Sequence, residues 1–140
     1  MGLNHREQLC FNLYTTSSLI TQAYQPLLRP LSLTYPQFAV MMSLWQKQDV
    51  SITELAHSVG LSKATVTPIV KRLQHVGYVT KSFAEGNERQ KSVALTEEGQ
   101  KLARKGKKAA KQALCATGLT EEEAKLLIDL SQKIQFNLSK

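Results

Sequence analysis

Cysteine is scarce: Cys10 and Cys115 are the only two in 140 residues, and there is no Cys-x-x-Cys pair. His5, His57 and His75 stand at no ligand spacing from either thiol, so the chain is expected to hold no metal and no cofactor. No segment approaches the roughly 18 uninterrupted apolar residues of a membrane span. The N-terminus lacks the basic segment and apolar core of a secretory signal, which predicts a cytoplasmic protein whose thiols rest reduced. Internal repeats and low-complexity tracts are also missing. Acidic residues are few, 11 against 18 basic ones, giving a net charge of +7 and a pI near 9.5. That balance predicts an anionic partner. What remains, 42% hydrophobic and 21% charged, is the profile of one soluble globular domain.

Apolar periodicity predicts a first helix over residues 4–26, with Cys10, Leu13, Tyr14, Ser17, Ile20 and Tyr24 on one side and Pro26 and Pro30 ending it. Tyr35-Pro36 opens a second helix through Val40, Met41, Leu44 and Trp45. Ser51-Ile52-Thr53-Glu54 is a capping box that starts a short helix, stopped by Gly60. Ser62 caps a fourth helix to about Gln74, closed by Gly77. Pro68, inside that helix, removes a hydrogen bond and predicts a bend. Residues 78–83 and 91–95 read as a β-hairpin around turn chemistry at Gly86-Asn87. Thr96 then caps a long basic helix to about Ala116, and Thr120-Glu121-Glu122-Glu123 opens a last helix with Leu127, Leu130, Ile134 and Leu138 on one stripe.

Within residues 52–69, Ala56 is small where a second helix would cross and Gly60 suits a left-handed turn. Leu55, Val59, Leu61, Val66 and Ile69 would bury the angle between the helices. This is a helix-turn-helix pattern, although unrelated helical pairs also produce such windows. Ser62, Lys63, Thr65, Thr67, Lys71 and Arg72 supply short donors and cations suited to phosphates and base edges. The hairpin that follows makes a winged helix, whose Arg89 and Lys91 would reach along the duplex, Arg89 into the minor groove. A second basic run, Lys101, Arg104, Lys105, Lys107, Lys108 and Lys111, also fits a simple solvated helix face.

Cys10 and Tyr24 are fourteen residues apart, about 21 Å along one helix, and nearly four turns bring them to the same side. They meet only if an antiparallel copy of the helix pairs with the first, so any joint site belongs to a dimer. Tyr35 can add a second hydroxyl there. Two tyrosine hydroxyls would stabilise a thiolate without an adjacent cation. Equally, a lone cysteine on an apolar face is often an inert core residue, and the tyrosines are often core aromatics. Spacing leaves open whether Cys10 and Cys115 approach each other.

The order of these elements resembles the MarR family of dimeric winged helix-turn-helix repressors along essentially the whole chain. Leu9-Cys10-Phe11-Asn12-Leu13-Tyr14, Ala23-Tyr24-Gln25-Pro26-Leu27-Leu28, Leu33-Thr34-Tyr35-Pro36-Gln37-Phe38 and Thr65-Val66-Thr67-Pro68-Ile69-Val70-Lys71-Arg72-Leu73 are similar to the signature blocks of its organic-hydroperoxide-sensing, OhrR-like branch. The resemblance implies a mainly α fold with a small β-hairpin, in which 1–30 and 97–140 form dimerisation helices and 35–95 the DNA-binding part. It implies a homodimer on a palindromic operator of double-stranded DNA. It further implies that Cys10 is the sensing thiol, hydrogen-bonded by Tyr24 and Tyr35 of the partner subunit, and that Cys115 resolves its sulfenic acid as an intersubunit disulfide. Release of the operator would then derepress a peroxide-detoxifying gene.

Two segments depart from the branch. Asn87-Glu88-Arg89 stands where Asp-x-Arg is usual, and Val59-Gly60-Leu61-Ser62-Lys63-Ala64 replaces a Leu-Asp-Ser-Gly pattern, which predicts a different operator. Two other functions fit parts of the chain. One is a MarR-type repressor relieved by a small aromatic ligand, with structural cysteines. The other is a thiol peroxidase, which lacks an arginine or acid beside Cys10 and leaves the basic winged helix unexplained. On those two grounds a regulator is expected rather than an enzyme.

Overall fold

The computed structural model describes residues 3–84 and 87–140, with the backbone alone for 83, 84 and 87–91. Among the described residues, six α-helices and three strands follow in the order α1 (Leu9–Leu28), α2 (Tyr35–Gln46), β1 (Val50–Ser51), α3 (Ile52–Val59), α4 (Lys63–His75), β2 (Val79–Ala84), β3 (Asn87–Leu95), α5 (Glu97–Ala116) and α6 (Glu121–Leu138).

Side-chain caps set most helix starts. Thr34, Ser51, Ser62, Thr96 and Thr120 each accept a backbone N–H from the third residue on, satisfying a donor that the helix leaves unpaired. At Thr120 and Thr34 the box is reciprocal. The Glu123 carboxyl, hydrogen-bonded to the Thr120 backbone and hydroxyl, is held below its usual range.

Two expectations need correction. A 3-10 turn at His5–Glu7, capped by Asn4, precedes α1, which begins at Leu9 rather than residue 4. Pro26 does not end α1. The helix continues to Leu28, because the carbonyl Pro26 leaves without a donor belongs to exposed Gln22, where water can serve. The chain turns instead at left-handed Ser32 (φ 58°), after a 3-10 turn with Pro30 in its first positions. α4 continues through Pro68 to His75: the carbonyl left without a donor is that of exposed Ala64, while Val66, Val70 and Leu73 bury the opposite face.

The hairpin is also more than expected. β3 starts at Asn87, so residues 87–90 lie in a strand rather than a turn, and the register shifts between Phe83 and Ala84. Its far edge pairs with β1, making a three-stranded antiparallel sheet β1-β3-β2, with Val50 opposite Val93. Two residues are too few to show strand alternation, so β1 left no sequence signal.

One core joins these parts. Phe38, Val40, Met41 and Leu44 of α2 pack with Leu55, Val66, Val70, Leu73, Val79 and Val93, all essentially inaccessible. α5 is bound to this core at two glycines. A Cβ on Gly99 would overlap the Tyr78 carbonyl oxygen, and one on Gly106 would sit 2.5 Å from the Trp45 ring. The Trp45 indole N–H donates to the Gly99 carbonyl at 2.9 Å, and Tyr78 donates its hydroxyl to the Leu31 carbonyl at 2.7 Å. Burial, then nearby Glu98, raise the Tyr78 phenol above its ordinary range, which keeps it a donor.

Candidate nucleic-acid interface and thiol site

α3 and α4 meet at Gly60, whose φ of 70° closes the turn. The Leu61 N–H reaches back to the Ala56 carbonyl at 3.0 Å, and Ala56 is buried where the helices cross. Leu55 and Val66 fill the angle completely, and Val59 and Ile69 do so in part. Leu61 does not: at 38% exposure it stands outside the corner, since backbone bonds already close the turn.

Ser62, Lys63, Thr65, Lys71 and Arg72 are exposed on α4 and its cap. The Ser62 and Thr65 hydroxyls lie 2.8 Å apart and hold each other at the helix start. Thr67 departs from the expected exposed face. It is half-buried, and its hydroxyl donates to the Lys63 carbonyl at 2.8 Å. The Arg89 and Lys91 side chains lie outside the described residues, although their backbone runs in β3.

The two thiols lie exposed on α1 and α5, and the two tyrosines pack against the core. Cys10 and Tyr24 share the unbroken α1, as the helix arithmetic requires. Cys10 is exposed in a groove of about 600 Å³ between Leu9, Leu13, Tyr14 and Ser17 of α1 and Ile134 and Leu138 of α6. Tyr24 and Tyr35 meet within the chain, with ring centroids 5.1 Å apart, and both pack near Phe38. Burial, then the neighbouring Tyr35, raise the Tyr24 phenol above its ordinary range. It therefore stays protonated at neutral pH and available to donate.

Cys115 is also free and exposed, near the end of α5 and four residues beyond Lys111. That end of α5 shares a groove with Thr16, Leu19, Ile20 and Ala23 of α1, whereas Cys10 lies six residues before Thr16, about 9 Å along the axis. Among the described residues no three His, Cys, Asp or Glu side chains gather to hold a metal ion, and no helix is long and apolar enough to cross a membrane.

Sequence reading missed the Trp45–Gly99 bond and the close α2–α5 contact it makes. The signal was present: Gly99, Gly106, Ala109 and Ala113 place small residues on one side of α5, where another helix can approach.

A helix-turn-helix followed by a β wing and flanked by long helices defines a winged helix-turn-helix protein of the regulator type. Residues 33–91 match the MarR family. The chain is similar to the organic hydroperoxide resistance transcriptional regulator of Bacillus subtilis (strain 168), with 37% identity over 98 residues, 70% of this chain and 67% of that protein. It is 35% identical over 122 residues to the HTH-type transcriptional regulator TtmR of Methylorubrum extorquens (strain PA1), covering 87% of this chain but only 63% of TtmR. Among solved structures, AbfR of Staphylococcus epidermidis superposes with a TM-score of 0.82 at 29% identity, over 96% of this chain and 94% of AbfR. Reduced AbfR bound to DNA gives 0.78 at 27% identity, over 96% and 94% of the two chains. The chain belongs to the MarR family of DNA-binding transcriptional regulators.

Proposed function

We propose that this regulator is a homodimeric repressor that senses organic hydroperoxides in the cytoplasm through Cys10. The observation that carries the reading is the pairing of Tyr24 and Tyr35, two phenols side by side on the face that α1 also gives to Cys10. In an antiparallel α1 pair, these hydroxyls reach the partner's thiol and stabilise its thiolate.

Large exposed apolar side chains on α1 and α6, among them Leu9, Leu19, Leu126, Leu130 and Leu138, support a second copy as the partner of residues 1–30 and 97–140. The Cys10 thiolate attacks the hydroperoxide; the O–O bond breaks, an alcohol leaves after taking a proton, and a sulfenic acid remains. Cys115 of the other subunit then displaces water to form the disulfide. The separation of Cys10 from the α5 terminus within one chain favours that intersubunit route. Moving the two thiols together drags α1 and α5, and with them the spacing of the two α4 helices on a palindromic operator.

At the DNA, Ser62 and Thr65 present hydroxyls, Lys63, Lys71 and Arg72 meet phosphates, and Arg89 and Lys91 extend contact along the wing. Thr67, with its hydroxyl engaged, orients the helix start. Neutralising Lys71 should weaken binding on every sequence and lower the slope of log K against log salt by about 0.9. A fluorescence-anisotropy salt titration of Lys71→Gln checks this.

A mobility shift on the DNA upstream of the chain's own gene, with and without cumene hydroperoxide and followed by intact mass, tests the redox reading. Release accompanied by an added oxygen or an interchain disulfide supports it. Release by salicylate with both thiols unchanged would instead favour a ligand-relieved repressor. That alternative draws on the groove of about 590 Å³ where Arg29 lies beside Thr34 and Tyr35.

A further inference from the structure

The outer face of α5 carries Arg104, Lys107, Lys108 and Lys111, opposite the buried Leu102, Gly106, Ala109 and Ala113, with Lys105 on its flank, and all five cations are exposed. The ion pairs found among the described residues at this helix join only Lys101, to Glu97 and Glu98 in the first turn. The five cations beyond that turn stand three and four residues apart, as Arg104 and Lys108 or Lys107 and Lys111 do, so the helix repels itself along this face. A solvated face of mixed sign would avoid that repulsion. Without these five residues the net charge of +7 would fall to +2, so the stripe holds most of the chain's positive excess.

The stripe is held rigidly to the DNA-reading part. The Thr96 N–H donates to the Tyr78 carbonyl at 3.0 Å, its hydroxyl donates to the Gly77 carbonyl at 2.6 Å, and Trp45 fixes Gly99 one turn later. From Thr96, Arg104 lies about 12 Å and Lys111 about 22 Å along the helix axis. From Arg104 to Lys111 the stripe covers about 10 Å, close to the roughly 12 Å width of a B-DNA major groove.

We propose that this face of α5 is a second, sequence-independent DNA contact, which engages phosphates of duplex beyond those met by α4 and the wing. The stripe reads no bases: it adds counterion release and therefore affinity on any sequence. This rests on the DNA-binding class alone and not on the redox reading.

The test uses the full chain and a mixed-sequence 40-bp duplex, so that no operator is needed. Replacing Arg104, Lys105, Lys108 and Lys111 with Gln should lower the slope of log K against log salt by about 2 to 4, at about 0.9 per phosphate lost. Affinity near 100 mM salt should fall at least tenfold. The charge-conserving set Lys105→Arg, Lys108→Arg and Lys111→Arg should keep the native slope. Neutralising Lys125, Lys133 and Lys140, which are exposed on α6 and at the C-terminus, should leave it unchanged. An unaltered slope in the α5 variant, with native circular dichroism, overturns the proposal. So does an equal fall in the α6 variant, which would assign the effect to overall charge. Loss confined to phosphatidylserine vesicles, with the DNA slope intact, overturns it in favour of a membrane surface.

Discussion

Cys10→Ser is expected to bind DNA as tightly as the native chain and to remain bound in cumene hydroperoxide, while the native protein loses affinity on the order of 5- to 150-fold, the range of ordinary allosteric coupling. Cys10 is exposed within the chain and serine is close to it in size, so the exchange should change the stability of the fold by less than about 0.5 kcal/mol. The chemistry changes completely, because a serine hydroxyl is neither ionised near neutral pH nor oxidised by a peroxide. Mobility shifts with and without oxidant read both halves of the prediction. Loss of binding by the untreated variant, or normal release when it is oxidised, would sink the assignment of Cys10. Cys115→Ser separates the two thiols: it should still gain an oxygen at Cys10 but form no disulfide-linked dimer. A dimer-sized species of that variant on a non-reducing gel would contradict the resolving role.

Gly99→Ala should be the most destabilising small change in the described part of the molecule. Three effects compete. Replacing a helical glycine by alanine gains about 1 kcal/mol in propensity. Against it, the new methyl would overlap the Tyr78 carbonyl oxygen, a backbone atom that cannot swing aside, and crowd Leu95 Cδ2 at 3.3 Å. Any shift of α5 that relieves the overlap also stretches the Trp45–Gly99 hydrogen bond. Overpacking typically costs about 1–3 kcal/mol, and the lost bond adds about 1. The expected net loss is about 1–3 kcal/mol, a fall in Tm on the order of 5–10 °C at fixed protein concentration. Gly106→Ala should cost less, since its methyl meets the side-chain ring of Trp45. Thermal unfolding of both variants checks the order; Gly99→Ala melting with the native chain would show that α5 can move freely against the sheet.

Much of the fold was legible in short-range chemistry. Ser62, Thr96 and Thr120 mark helix starts because their hydroxyls satisfy amide groups three residues away, a relation contained in the sequence. Gly60 marks the turn because its left-handed backbone is strained for other residues. Pro26 misleads for a local reason: it reads as a lost hydrogen bond, whereas exposure of Gln22 lets water serve the freed carbonyl. Leu61 was assigned to the core by pattern, yet backbone bonds close that corner without it. β1 became a strand only because β3 passes beside it.

The candidate site divides in the same way. That Cys10 and Tyr24 share one side of a helix and are too far apart to touch followed from sequence separation and helix pitch alone, as did the basic run of α5, because helical geometry is set by the backbone. Tertiary packing decided what no spacing contains. It brought Tyr35 from α2 against Tyr24, raised the Tyr24 phenol by burial, engaged the Thr67 hydroxyl, and pinned α5 to Trp45 through Gly99. These are contacts between segments distant in the chain, and their energies depend on which surfaces exclude water together.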